Sequence, residues 1–430
     1  MEDGAQRLTT NNHNSAGAYQ EDDDLWNASV PHEHTSIPQD TSTLAPAQAI
    51  KWGHLTPDER ARRQIRFDRR MRAASGSIKK VSARRRQDST PLPTSLVSDE
   101  LSVAASGWIG TCIPREGEKE FTVDELCGPE YNMKLIDWDG CLSRPILDVE
   151  ARVVGVLAGR PRGSDWDATV DQATRELAFA RESLRPSDKD SDHRRGKFPA
   201  LVAGISFGGG QTKPANLHSS KVNKSILDGL LHGASKSFSR IAMFASSMLE
   251  CYAPRVFASY RESLDALLAQ DPTLAPNFHK SVFAAATFNL GPSTVTRPHL
   301  DRGNLAWGWC SITALGSFDP DFGGHLVLWD LGLVIRFPAG STILIPSAVV
   351  KHSNVKIRGG DVRCSFTQYT SGGLLRWVYN GFCTDKDLLA HAKKEGKEEE
   401  VNEKRKADRA KRWAEGLEKF SKVENSKFVY

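Results

Sequence analysis

Between Ser281 and Phe382 the chain alternates short apolar, β-branched runs with Gly, Pro, Asp and Asn punctuation. That rhythm marks strands joined by turns, and no stretch between them carries a long helical period. It predicts strands at 282–289, 308–315, 325–328, 333–337, 342–346, 354–357 and 362–369. Their number and lengths fit a small antiparallel double-sheet jelly roll. Upstream the apolar spacing turns helical, at Ile226, Leu227, Leu230 and Leu231 and again at Phe257, Leu264, Leu267 and Leu268. Three helices are expected there, at 220–232, 237–252 and 254–269, buttressing the outside of one sheet. Further back, 152–158 reads as a strand and 165–184 as a helix capped by Ser164, with Asp167 completing a capping-box variant. This pair predicts an α/β layer beside the barrel. Gly155, Gly159 and Gly163 do not form the dinucleotide-binding Gly-x-Gly-x-x-Gly. A further strand is expected at 200–207.

The ends of the chain are polar. Residues 1–92 bury too little apolar surface to offset their ordering entropy and are expected to form a disordered basic and polar arm. Short helices are expected at 57–74 and 94–105. Residues 187–197 read as a charged linker, and the segment after Cys383 as one long charged helix, 386–420. The expected organisation is α+β: the arm, an α/β extension over 93–199 packed on the core, the jelly roll over 200–383, and a charged C-terminal helix over 384–430.

With 39% hydrophobic and 26% charged residues, a soluble and partly globular protein is expected. No run of eighteen apolar residues marks a membrane span, and the N-terminus has no apolar core of a signal peptide. The seven Cys are odd in number and contain no Cys-x-x-Cys. They read as free thiols in a reducing compartment, against a zinc module. The net charge of +4 is unevenly spread, with basic clusters at 60–72, 79–86 and 404–412. Such clusters suit nucleic acid or nuclear import, or else a solvated arm.

The candidate chemistry lies in the β region. His299 and Asp301 form a His-x-Asp pair, His352 follows after a strand, and Arg363 and Ser365 form an Arg-x-Ser pair. Two imidazoles and a carboxylate are the facial set that holds non-haem Fe(II) with open positions. A buried Arg is the natural partner for the distal carboxylate of a chelating co-substrate. Among 12 His and 53 acidic residues, about 1.5 His-x-acid pairs are expected by chance, and the chain has this one. The order and spacing of the whole set carry the reading. The alternative is a cupin-like barrel that binds a sugar or a metal.

The stretches GISFGGGQTKPANL (204–217), VFAAATFNLGP (282–292), the long run from HLDRGN to VVKHSN (299–354) and RCSFTQY (363–369) resemble the TET/JBP family of Fe(II)- and 2-oxoglutarate-dependent nucleic-acid dioxygenases. They are particularly similar to the TET-like proteins of mushroom-forming fungi. The likeness spans roughly 200–383. It implies a double-stranded β-helix in which His299, Asp301 and His352 hold Fe(II). Arg363 and Ser365 would bind 2-oxoglutarate, and O2 would be the oxidant. It further implies a flipped methylated base, hydrogen-bonded by Asn304 and stacked on Tyr369, with Trp307 and Phe337 as alternative pocket aromatics. Gly208, Gly209, Gly210, Gln211 and Lys213, otherwise a flexible turn, become a DNA contact. Animal members place a His where this chain has Ser371, and carry a Cys-rich zinc-binding region that it lacks. The implied activity is stepwise oxidation of 5-methylcytosine to hydroxymethyl, formyl and carboxyl forms, or demethylation of N6-methyladenine, by a nuclear monomer. The alternative is a non-catalytic DNA-binding barrel attached to mobile-element machinery.

Overall fold

The structure is a computed structural model that describes residues 80–114, 117, 119–184, 191–217, 219–424 and 427–429. The expected helix at 57–74 and most of the N-terminal arm lie outside the described residues. The strands are β1 (Leu92–Pro93), β2 (Lys134–Ile136), β3 (Arg144–Leu147), β4 (Val153–Gly159), β5 (Asp192–His193), β6 (Gly196–Lys197), β7 (Ala200–Ser206), β8 (Ala215–Asn216), β9 (Ala285–Asn289), β10 (Cys310–Ser317), β11 (Leu326–Leu328), β12 (Leu333–Ile335), β13 (Thr342–Ile345), β14 (His352–Asn354), β15 (Val362–Tyr369), β16 (Lys422–Glu424) and β17 (Lys427–Val429). The helices are α1 (Val123–Cys127), α2 (Trp166–Ser183), α3 (Lys221–His232), α4 (Ser237–Tyr252), α5 (Pro254–Gln270), α6 (Gly372–Tyr379), α7 (Asp385–Lys394) and α8 (Glu398–Leu417). The fold is α+β.

A nine-stranded sheet runs β1-β3-β4-β13-β10-β15-β9-β7-β8, and a four-stranded sheet runs β14-β11-β12-β2. Most pairs are antiparallel; β1 with β3 and β2 with β12 are parallel. Alternation along β15 assigns its two faces. Phe366 packs on Phe238 of α4, with ring centroids 5.2 Å apart, so even-numbered residues meet the helices. Arg363 lies 5.9 Å from the ring of Phe337, just after β12, so odd-numbered residues face the small sheet. The result is three layers, helices, large sheet and small sheet, with Arg363, Ser365 and Tyr369 on the face turned towards the small sheet.

All seven expected strands of the β region form, with ends shifted by up to three residues. The expected strand at 354–357 instead occupies His352–Asn354, because His352 pairs in register with Leu328. The three expected helices also form. Ser220 caps α3 by accepting from the Asn223 amide, and Pro254 opens α5.

Four expectations are corrected. The 94–105 helix does not form, because its start is recruited as a strand edge: Thr94 N donates to Leu147 O and Leu96 O accepts from Val149 N. Only a 3-10 turn remains, Ser98–Glu100. Asp165, not Ser164, is the N-cap of α2, and Asp167 pairs instead with Arg160 at 2.8 Å. The extension is not a layer beside the barrel: β4 joins the large sheet through β13 and β2 joins the small sheet through β12.

The single C-terminal helix breaks into α7 and α8 at Gly396, whose φ of +73° no helix accepts. This tail is not merely a solvated strut. Arg412, Gly416 and Leu417 of α8 are buried, and the Arg412 guanidinium stacks 4.3 Å from the Trp108 ring. The end of the basic arm also docks. Residues 80–87 are helical, and Arg86 Nη1 donates to Cys251 O of α4 at 2.9 Å.

Candidate active site

His299 and His352 face each other as a backbone-paired couple, each amide donating to the other's carbonyl at 3.0 Å. Each ring is oriented by its own chain. His299 Nδ1 donates to Arg297 O at 2.7 Å, and His352 Nδ1 to Val350 O at 2.9 Å. That tautomer leaves both Nε2 lone pairs available, the usual outer-shell arrangement of metal-binding imidazoles. Asp301, anchored by its amide on Ser347 O, completes the group. Its Oδ1 lies 3.6 Å from His299 Nε2 and its Oδ2 3.8 Å from His352 Nε2. Among the described residues this is the cluster of metal-ligating side chains, with ligand atoms all within 4.8 Å of one another.

The cluster fits a divalent ion. Cis ligands around an ion at ordinary M–N and M–O lengths sit about 3 Å apart, so a small inward rotation closes the site. Asp301 Oδ1 is buried without a hydrogen-bond partner. Burial alone would raise the Asp301 carboxyl, but its interactions with the neighbouring His299, His352, Arg195 and Arg194 outweigh it and hold it down at about 2. Burial, followed by the neighbouring His352, keeps His299 neutral well below its usual range. Both groups are therefore in the form a metal requires.

Arg363, at 1% exposed, lies at the start of β15. Its Nη1 donates to Thr294 O at 2.9 Å. Among the described residues Nε and Nη2 are buried without a hydrogen-bond partner, as are Asn289 Oδ1, Thr294 Oγ1 and His325 Nδ1. Burial pushes the guanidinium down to about 10, still charged at neutral pH. Gly324 makes room for it: a Cβ there would stand 3.0 Å from Nε. Ser365, next on the same face, accepts from Asn289 Nδ2 at 2.8 Å. A buried fork with two free donors, beside several unpaired polar atoms, is shaped for an oxyanion.

The same face of β15 ends at Tyr369, which is buried and accepts from Thr287 Oγ1 at 3.5 Å. Asn304 bridges to Ser371 and its amide donates to Ser347 Oγ at 3.0 Å, leaving its carbonyl oxygen as the free group. The glycine turn Gly208–Gly210 borders this region, since the Ser371 hydroxyl donates to Phe207 O at 3.4 Å. Gln211 Oε1 accepts from Gly208 N, and Lys213 pairs with Asp271. Those two predicted DNA contacts are thus occupied locally. Trp307 belongs elsewhere: it packs where a Cβ on Gly416 would meet it at 2.5 Å. Phe337 walls the Arg363 side, not the Tyr369 side.

Sequence reasoning missed Asn289, Thr294 and His325, although Asn289 ends a predicted strand and pairs with Ser365 in register. It also missed Arg194, whose guanidinium reaches Leu300 O at 2.5 Å and lies 3.9 Å from Asp301 Oδ1. That residue sits in what read as a linker, and nothing local marks it.

No family model and no curated protein matches the chain. Among solved structures, the chain is similar to NgTET1 in complex with 5mC DNA at 15% identity, covering 56% of this chain and 84% of that one, with a TM-score of 0.39. It is also similar to an oxidoreductase of the 2OG-Fe(II) oxygenase family from Burkholderia pseudomallei at 16% identity, covering 50% and 92%, with a TM-score of 0.26. No helix among the described residues is long and apolar enough to cross a membrane.

Proposed function

We propose that this chain is an Fe(II)- and 2-oxoglutarate-dependent dioxygenase acting on methylated bases in DNA, with a jelly-roll core, working as a nuclear monomer. One observation carries the reading: a two-His, one-carboxylate cluster stands between two sheets that also bury a guanidinium with two free donors. A structural arginine at that depth would have its donors satisfied. A chelating keto acid with a second, distal carboxylate supplies the missing partner.

His299, Asp301 and His352 would hold the iron. Iron with 2-oxoglutarate and O2 supplies the oxidising power for an unactivated methyl C–H, the co-substrate leaving as succinate and CO2. The chain's own work is binding and orientation. Arg363 grips the distal carboxylate, with Ser365, Asn289, Thr294 and His325 around it. Tyr369 offers a face on which a flipped base stacks. The free Asn304 carbonyl accepts from an exocyclic amine, which cytosine and adenine both carry. This supports 5-methylcytosine oxidation, carried stepwise through hydroxymethyl, formyl and carboxyl forms, and admits N6-methyladenine. Succinate release is the test. It should require added Fe(II) and 2-oxoglutarate and rise with methylated DNA. Turnover that survives EDTA and needs no keto acid would refute the proposal.

A further inference from the structure

The segment that reads as a linker returns to the site as a tight hairpin. β5 and β6 pair Asp192 with Lys197 and His193 with Gly196, leaving Arg194 and Arg195 as a two-residue tip. Neither arginine takes a positive φ, so the turn itself does not demand these side chains, and their position over the site is what gives them interest. The hairpin is seated on the metal-ligand strand. Arg195 O accepts from Arg297 N at 2.8 Å, and the Arg297 carbonyl in turn orients His299. Gly196 lies so close that a Cβ would stand 2.5 Å from Val295 O.

The two tip residues differ. Arg194 is held by Leu300 O and Asp301. Arg195 is half-buried, and among the described residues its guanidinium has no ion pair, hydrogen bond or ring partner. Its charge reaches the Asp301 carboxyl, the Tyr369 hydroxyl and the Cys310 thiol. Arg195 and Arg302 both work against the charge on Arg194, so like charges crowd the rim.

We propose that Arg195, at the tip of this hairpin, is a phosphate-binding residue that takes an oxygen of the phosphodiester flanking the nucleotide whose base enters the pocket. This rests on the nucleic-acid reading above. A phosphate fits better than a co-substrate carboxylate, because Arg363 already supplies a buried fork for the latter. Crowded cations at a half-open rim are stabilised by a polyanion.

The test uses the full chain with Mn(II) and a fluorescent oligonucleotide containing one 5-methylcytosine. Arg195→Gln should weaken binding about tenfold or more and make the salt slope shallower by about one. Replacing the flanking phosphates with neutral methylphosphonates should weaken the wild type by a similar factor and leave Arg195→Gln unaffected. Arg195→Lys should recover part of the loss, and the methylphosphonate series on wild type reads the contact even if a variant folds poorly. Multiplying effects, or a loss of 2-oxoglutarate affinity with oligonucleotide binding intact, would overturn the inference while leaving the enzyme reading standing. A wild type that does not bind the oligonucleotide would overturn both.

Discussion

Replacing Arg363 with Met separates structure from function at the proposed co-substrate site. Burial lowers the guanidinium from 12.5 to about 10, which corresponds to about 3 kcal/mol of unfavourable desolvation. Against this the ligand-free protein gains one hydrogen bond, to Thr294 O at 2.9 Å, a contribution of about 1.5–3 kcal/mol for a charged donor. Met fills much of the same volume. The two contributions nearly cancel, so Arg363→Met should leave ligand-free stability within about 1–2 kcal/mol of wild type. Co-substrate binding should respond very differently. A distal carboxylate left buried without its partner costs about 2–5 kcal/mol, roughly 30-fold to several-thousand-fold in affinity. Arg363→Lys keeps the charge but loses the fork, and should fall between. Calorimetric titration of 2-oxoglutarate into the Mn(II)-loaded protein, alongside denaturant unfolding, reads both quantities. A variant that unfolds several kcal/mol more easily yet binds 2-oxoglutarate normally would show that Arg363 is a structural pillar and refute the reasoning.

Four other outcomes follow from the same geometry. His299→Ala, Asp301→Ala and His352→Ala should each abolish succinate formation and weaken Mn(II) binding by at least tenfold; unchanged metal affinity in all three would place the metal elsewhere. Tyr369→Ala should lower turnover of 5-methylcytosine and N6-methyladenine by a similar factor, since stacking contributes roughly 1–3 kcal/mol whatever the base. Asn304→Ala should instead narrow the preference for 5-methylcytosine over thymine, which lacks the amine, by about 1–3 kcal/mol; equal losses on both bases would remove that role. His193 and His325 are both held at about 4, chiefly by burial and then by the charges of Arg195 and Arg336 respectively. The unfolded chain takes up these protons near 6.5, so stability is full above that pH and declines as pH falls towards 4. Each histidine should cost about 2 kcal/mol by pH 5; an unchanged melting temperature between pH 7 and 5 would contradict this.

The strands were legible because they are short apolar, β-branched runs bounded by Gly, Pro, Asp and Asn; most are buried on both faces, so punctuation rather than alternation marks them. The candidate metal cluster was legible because His299, Asp301 and His352 come in a fixed order at or beside those strands, with Arg363 following. Long-range placement was not legible. Nothing in the residues around Arg194 says that they return to Asp301, some hundred positions later. Nor does the charged C-terminal segment show that Arg412 will stack on Trp108, a contact that depends on the turn at Gly396. The 94–105 segment reads as a helix, yet its start, rich in Thr, Ser and Val, gives its backbone to the edge beside β3. Asn304 was legible as a polar residue near the cluster, but only its bond to Ser347 shows which end of the amide is engaged within the chain.

The central claim is oxidation of a base methyl at the His299, Asp301 and His352 cluster. Mass spectrometry of nucleosides from an oligonucleotide carrying 5-methylcytosine and N6-methyladenine, incubated with the protein, Fe(II), 2-oxoglutarate and O2, tests it most directly. The account predicts that a methylated nucleoside is lost and its oxidised or demethylated product appears in step with succinate, and that neither happens with His299→Ala. Methylated nucleosides left intact by iron-loaded protein that binds 2-oxoglutarate would contradict it.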